Sequence, residues 1–391
     1  MKIDQIVAHA INDTRGRATI ETTVRSGEFS ATASVPSGKS TGEHEALELD
    51  ATRAVENVNN EIAKALVGRN FNLPDELDTF LIELDGTPNK SRLGANATLS
   101  VSIAMMRLFA LQENIPLWKA IAKRAGTTPS APRLFVNIMN GGVHADFKLP
   151  FQEYMLIVEG KTSVALPVAQ KVFAKLGEML GSETPMGDEG GYAPTFDTLE
   201  KPFELLAELV DEFPETAIAL DAAASQLFRD NAYYLLGKTY TTEELVHVYE
   251  NLVARFPLAS IEDPFDENAA DDFIRFTGAA DERILVVGDD YTCTNPKLIA
   301  DAIQKKAINA VLIKPNQIGT VMEAIKAIQE TQAAGLKVIA SHRSGETDDT
   351  FISDFAYGIG AYGIKAGGLG QKERLEKYDR LLVIEKEAEK V

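Results

Sequence analysis

Hydrophobic and polar positions change texture along the chain. Residues 19–24 and 29–35 alternate or run apolar, with Ser26-Gly27 as a turn between them, so residues 3–35 read as short strands. From Glu43 to about Leu66, Ala46, Leu47, Leu49, Ala54, Val55, Val58, Ile62 and Leu66 fall at helical spacing. Further helices are expected from about Pro74 to Leu84 and from about Ala95 to Ala125. Strands first and helices after make an α+β unit. The turn-rich run Gly126-Thr127-Thr128-Pro129-Ser130 closes it.

Beyond that boundary, short apolar runs recur, and each ends in a reactive side chain. Residues 217–220 end at Asp221, 258–261 at Glu262, 284–288 at Asp289 and 310–313 at Lys314. Residues 338–340 lead to Ser341-His342-Arg343-Ser344, and 362–364 to Lys365. Successive reactive positions lie 41, 27, 25, 28 and 23 residues apart, each about one strand–helix unit. Amphipathic segments such as 296–304 and 320–333 fill the gaps. This pattern suggests a parallel sheet with crossover helices. A doubly wound sheet gives a similar pattern, but it cannot bring six successive strand ends together. A β/α barrel can, because all its strand C-termini converge on one face.

Length and charge narrow the picture. The chain has 391 residues, too many for one ordinary domain but enough for a barrel and a smaller companion. Apolar content of 45% and charged content of 25% are globular values, and no apolar run reaches membrane-spanning length. The N-terminus lacks a signal-peptide core, and Cys293 is the single cysteine, so a cytoplasmic location is expected. A net charge of −19 argues against nucleic-acid and anionic-membrane partners. A small anionic substrate remains compatible, since a few cations can reverse the local field.

Asp221, Glu262 and Asp289 are carboxylates on three successive strand ends. Together without a cation they would repel and take up protons. Oxygen ligands alone suit Mg²⁺, and no histidine or cysteine joins them to favour zinc. Each taken singly is equally well a polar strand end or a partner of Lys314; three in register favour the metal. Lys314 and Lys365 are ordinary salt-bridge partners when read alone, but a buried lysine can also serve as a base. Arg343 and Ser344 could clamp a phosphate, with arginine supplying a bidentate fork. Gly187-Asp188-Glu189-Gly190-Gly191 sets two acids in a loop that allows close backbone approach.

Ser37-Gly38-Lys39-Ser40-Thr41 imitates the end of a nucleotide-binding P-loop. The full motif needs a glycine where Ala33 stands, and Pro36 stiffens the loop, so nucleotide binding is not expected there.

These motifs together resemble the enolase family over nearly the whole chain. The resemblance rests on VPSGKSTGEHEALEL at 35–49, LGANA at 93–97, NGGVHA at 140–145, FQEYM at 151–155 and GDEGG at 187–191. It continues through LDAAAS at 220–225, SIEDPF at 260–265, GDDYTCTNP at 288–296, KPNQIGT at 314–320 and SHRSGET at 341–347. It implies a smaller α+β N-terminal capping domain over residues 1–128, with a mobile loop at 36–44. A β/α barrel with an irregular, partly antiparallel start would follow over 129–391.

The resemblance also implies roles. Asp221, Glu262 and Asp289 match ligands of a first Mg²⁺, and Ser40 a loop serine that contacts substrate and a second Mg²⁺. Lys314 matches the base that removes the C2 proton of 2-phosphoglycerate. Glu189, supported by Glu153, matches the acid that helps the C3 hydroxyl leave. Lys365 matches a substrate-carboxylate contact and Arg343 and Ser344 phosphate contacts, while His144, Gln152 and His342 line the substrate pocket. A lysine base beside Mg²⁺ is the arrangement already known for enolase-type sites. A small phosphorylated carboxylate is the implied substrate, and a homodimer or higher homo-oligomer the implied assembly. The alternatives are another enolase-superfamily enzyme acting on a different carboxylate, and a non-catalytic paralogue with a binding role.

Several positions depart from the family pattern. Thr14, Arg17 and Ala18 replace Ser, Asn and Pro, Lys39 replaces a small residue, and Gln226 stands where an acid is usual. Ala366-Gly367-Gly368-Leu369-Gly370 replaces a run with Thr-Gly-Ala-Pro, and Val383 takes the place of an interface arginine that pairs with the residue matching Glu21.

Overall fold

The computed structural model describes residues 1–39, 42–281 and 283–390. Strands β1 (Gln5–Asn12), β2 (Ala18–Ser26) and β3 (Phe29–Ser34) form an antiparallel meander. Ser26 pairs with Phe29, so the tight turn is Gly27-Glu28, one residue later than expected. Gly27 has φ +58°, a conformation glycine takes without a Cβ penalty.

Residues 43–50 are not helical, contrary to the spacing of their apolar residues. Their backbone is satisfied by neighbouring loops: Ala46 N donates to Gln317 O (2.7 Å) and Leu47 N to Asn89 O (2.8 Å). The helix begins at Ala51, where the Asp50 carboxylate caps Arg53 N at 3.0 Å. It runs as α1 (Ala51–Glu56), a wider π-type turn over Asn57–Ile62, and α2 (Ala63–Leu66). Helix α3 (Pro74–Asp85) follows. The single helix expected over 95–125 is two, α4 (Ala95–Gln112) and α5 (Leu117–Ala125). Pro116 stands between them, and the residue before a proline is disfavoured in a helix.

The barrel opens irregularly. Strand β4 (Arg133–Asn140) pairs antiparallel with β5 (Glu153–Val158). After α6 (Thr162–Leu180) and α7 (Lys201–Glu212), β6 (Thr216–Asp221) again pairs antiparallel with β5. A small meander of β7 (Phe228–Arg229), β8 (Ala232–Leu235) and β9 (Lys238–Tyr240) then leads into α8 (Thr242–Arg255). Regular units follow: β10 (Leu258–Glu262), α9 (Ala270–Ala279), β11 (Leu285–Gly288), α10 (Pro296–Lys305) and β12 (Ala310–Ile313). They continue as α11 (Val321–Ala333), β13 (Lys337–Ser341), α12 (Phe351–Gly358), β14 (Gly363–Gly367) and α13 (Lys372–Ala388). Strand β14 closes the barrel on β4, in the order β4-β5-β6-β10-β11-β12-β13-β14.

Two apolar layers hold the barrel. Phe135, Met155, Ile157, Ala219, Val287, Ala310, Leu312 and Ile339 form an inner cluster, and the alternate strand residues pack outward on the helices. The N-terminal unit is joined to the barrel by Arg107–Asp349, Lys90–Glu323 (2.8 Å) and Thr98 Oγ1 to Gly319 O (2.8 Å). Ser37 and Gly345 exchange two backbone hydrogen bonds of 2.8 and 2.9 Å, which lays the loop after β3 against the segment following β13. No helix among the described residues is long and apolar enough to cross a membrane.

Candidate active site

One end of the barrel gathers the chemistry. Asp221 and Glu262 are the last residues of β6 and β10, and Asp289 and Lys314 immediately follow β11 and β12. Because β5 runs antiparallel, its first residue lies at the same end, and Glu153 pairs in register with Asp221. Lys365 sits within β14 rather than at its end, since that strand continues to Gly367.

The two lysines meet the carboxylates directly. Lys365 Nζ lies 2.9 Å from Asp221 Oδ2, 2.8 Å from Glu262 Oε1 and 3.3 Å from Glu153 Oε2. Burial opposes its charge, but these acids outweigh burial and hold the ammonium well above its usual range. Lys314 Nζ is hydrogen-bonded to Asp289; burial again opposes the charge, and Asp289 prevails. Gln317 Nε2 completes Asp289, 3.0 Å from Oδ1. Burial, then the Asp221 charge, push the Glu262 carboxyl well above the carboxylate range.

Across the cavity stands Glu189, from the glycine-rich loop. Its Oε1 is 3.5 Å from His144 Nε2 and its Oε2 3.5 Å from His342 Nε2, and Asn137 Nδ2 donates to Oε2 at 3.1 Å. Burial would raise this carboxyl, yet His144, His342 and a hydrogen bond from Glu153 hold it well below the usual range. Glu153 moves the opposite way, raised by burial and by the Glu189 charge. The two carboxyls are thus driven apart, Glu153 toward its protonated form and Glu189 toward its ionised one. Burial lowers both histidines below their ordinary value, against the pull of Glu189.

The third wall is cationic. Arg343 makes a forked contact with Glu45 (3.0 and 3.2 Å) and donates to Asn316 Oδ1 (3.0 Å). Arg15 Nη1 donates to Ser344 Oγ at 3.2 Å. Gln152 Nε2 donates to Asp221 Oδ2 (3.1 Å) and is oriented by Gln226 Nε2 on its Oε1 (2.8 Å). The small, partly open cavity between these walls is lined by His144, Gln152, Glu153, Glu189, Lys314, Ser341, His342, Arg343, Ser344 and Lys365. Ser40 lies outside the described residues.

Arg15 and Glu45 were not singled out in the sequence and carry no chemical signal of their own there; Asn137, missed as well, had a cue as a polar residue inside the apolar strand Arg133–Asn140. The expected nucleotide-loop imitation fails structurally as well as in its motif. Among the described residues no helix follows Lys39 until Ala51, and Lys39 Nζ is bound to Asp188 Oδ2 and Val143 O, both at 2.6 Å.

The donor set fits a hard divalent cation. Asp221, Glu262 and Asp289 offer only oxygen, are buried, and each holds an ammonium, Lys365 on the first two and Lys314 on Asp289. Among the described residues, ligand atoms converge within 4.8 Å in two groups, Asp263–Asp289–Asp290 and His144–Glu153–Glu189; the three strand-end carboxylates, parted by the two lysines, are not one of them. In the first, Asp263 is spoken for by the backbone N–H of Asp289 (3.0 Å) and Asp290 (2.7 Å).

Comparison with known proteins agrees with this arrangement. Residues 3–121 match the family model for the enolase N-terminal domain, and residues 129–391 that for the enolase C-terminal TIM barrel domain. An enolase of Ehrlichia canis is 41% identical over 98% of this chain and 96% of its own length. Enolase 3 of Lactobacillus johnsonii is 42% identical, covering 98% of this chain and 95% of its own. Enolase 1 of Lactococcus lactis subsp. cremoris is 42% identical, with coverages of 98% and 97%.

Proposed function

The chain belongs to the enolase family, and from that premise we propose how its residues divide the dehydration of 2-phosphoglycerate to phosphoenolpyruvate. Asp221, Glu262 and Asp289 would hold one Mg²⁺, and Ser40 would belong to a second. When bound, the ions supply positive charge beside the substrate carboxylate, where negative charge grows as the neighbouring C–H bond breaks.

Lys314 Nζ takes the C2 proton. It becomes available as a base once Asp289 is no longer bound to it alone, because that contact is what keeps it protonated. Glu189, supported by Glu153 beside it, delivers a proton to the C3 hydroxyl. Arg343 and Ser344 take the phosphate, and Lys365 the carboxylate; His144, Gln152 and His342 shape the pocket. The observation that carries this reading is that Lys314 and the Glu153–Glu189 pair line a single cavity. Base and acid can then work on neighbouring carbons of one bound molecule.

We also propose the division at residues 128 and 129, a loop at 36–44 that closes over substrate, a cytoplasmic location and a homodimer or larger homo-oligomer. The charge of −19 supports the absence of nucleic-acid and anionic-membrane partners. The decisive assay follows phosphoenolpyruvate formed from 2-phosphoglycerate with and without Mg²⁺. Product formation that needs the ion supports the reading, and no product under either condition rejects it.

A further inference from the structure

Arg374, on α13, is fully buried. An arginine cannot shed its charge inside a protein, so its five N–H groups must find acceptors. It meets those of three segments at once. Its Nη1 donates to Arg343 O (2.6 Å) and to His342 Nδ1, its Nη2 to Ser344 O (2.8 Å) and Asp188 O (3.4 Å), and its Nε to Gln371 Oε1 (3.2 Å). None of these partners is a carboxylate. The charge is instead directed through an imidazole ring, whose far nitrogen lies 3.5 Å from Glu189 Oε2.

The contact on Nδ1 decides the state of that ring. A guanidinium only donates, so Nδ1 must present its lone pair, and the single ring proton must sit on Nε2. Nε2 is the nitrogen that faces Glu189. Gly367 makes room for the arrangement. A Cβ there would stand 2.7 Å from Arg374 Cδ and 3.0 Å from His342 Cε1.

We infer that Arg374 is a positioning residue that locks His342 as the neutral Nε2–H tautomer, so that the ring donates to Glu189 and cannot take the proton meant for the departing hydroxyl. The arginine does not line the cavity; it acts through His342. The functional consequence rests on the assignment of Glu189 to the leaving hydroxyl, whereas the tautomer itself does not. The charged groups facing His342 are Glu189 from the loop, Arg374 from α13, Lys365 from β14 and Lys314 after β12.

The test reads the ring directly. The chain has five histidines, so ¹⁵N side-chain NMR of the whole protein is tractable, with His342 assigned by its loss in His342→Gln. Wild type should show a bare Nδ1 and a protonated Nε2 from pH 6 to 8. Arg374→Met should mix the tautomers or admit a second proton near the ordinary histidine value of about 6.5. Its kcat should fall by roughly 10–100-fold, as when a partner that orients a functional histidine is removed, and its pH profile should gain an acid limb. Arg374→Lys, which keeps a cationic donor, should restore the Nε2–H tautomer and much of the rate. A proton on Nδ1 in wild type overturns the inference even if Arg374→Met does not fold. An unchanged tautomer in folded Arg374→Met overturns it as well. Because the spectra need neither substrate nor Mg²⁺, they separate this inference from the proposed reaction.

Discussion

Lys39 Nζ lies 2.6 Å from Asp188 Oδ2 and so ties the loop after β3 to the glycine-rich loop that carries Glu189. The family pattern has a small residue at position 39, so this bond belongs to the present chain rather than to the pattern. Both partners are about one-third exposed, with side-chain values of 30% and 33%. An exposed pair contributes up to about 1 kcal/mol. Lys39→Ala should therefore raise KM by no more than roughly fivefold, with little change in melting temperature. Salt should erase the difference, because exposed charges are screened. Steady-state kinetics at low and high ionic strength measure this, and a KM change that ignores salt would count against the latch.

Gly368 is a second departure with a visible consequence. Its N–H donates to Glu189 O at 2.7 Å, and Gly370 N–H donates to Gly190 O at 3.0 Å. A Cβ on Gly368 would stand 2.3 Å from Gly190 O and 2.5 Å from Asn137 O, with backbone on both sides. Gly368→Ala, the family's common residue here, must then push the Glu189 loop away. A displacement of about 1 Å can cost about 10²-fold in rate, so kcat should fall while the protein stays folded. Full activity in Gly368→Ala would mean that the loop has slack the contacts do not reveal.

Much of the barrel was legible because each interior strand is an apolar run that ends where the barrel opens to polar chemistry. Asp221 and Glu262 end their strands as that pattern predicts, whereas β14 runs past Lys365 to Gly367. Segment 43–50 imitates a helix in the spacing of Ala46, Leu47 and Leu49, but its backbone bonds to Gln317 and Asn89 instead, and Leu47 is left exposed. The break at Pro116 was written in the sequence and outweighed there by the long apolar run. Arg374 had no such sign. An arginine in a charged helix looks like a solvated one until a strand end and a glycine-rich loop close over it.

Arg107 on α4 and Asp349 after β13 join the N-terminal unit to the barrel. Burial alone would raise the Asp349 carboxyl; Arg107 and the Ser34 and Phe351 N–H groups hold it below its usual value. A depressed folded pKa contributes stability above the unfolded value of about 3.9 and loses it as pH falls through the folded one. Asp349→Asn should thus cost roughly 1.5–3 kcal/mol at pH 7, the value of hydrogen bonds to a charged group. The gap from wild type should close below about pH 4. Denaturant titrations at several pH values check this; a gap that widens toward acid would contradict the sign.

Chelation should abolish turnover, and added Mg²⁺ should restore it. The fold should survive, because Lys365 covers Asp221 and Glu262, and Lys314 covers Asp289. Circular dichroism in excess chelator should match the untreated protein. Turnover that persists in chelator would remove the metal from the proposed reaction.

The two halves of the reaction separate by substitution. If Lys314 is the base, Lys314→Ala should bind substrate but fail to exchange its C2 hydrogen with solvent deuterium. If Glu189 acts after proton removal, Glu189→Gln should lose dehydration yet keep measurable exchange. The asymmetry arises because the carbanion can form and return without a departing hydroxide, whereas nothing departs until it has formed. Each change should lower overall turnover by the ~10²–10⁴-fold of a lost general acid or base. Both proteins should remain folded. Asp289 retains Gln317 as a donor when Lys314 is removed, and glutamine keeps an oxygen for Asn137 in place of Glu189. Exchange that survives in Lys314→Ala and vanishes in Glu189→Gln would show base and acid to be reversed, with the Glu153–Glu189 pair taking the C2 proton instead.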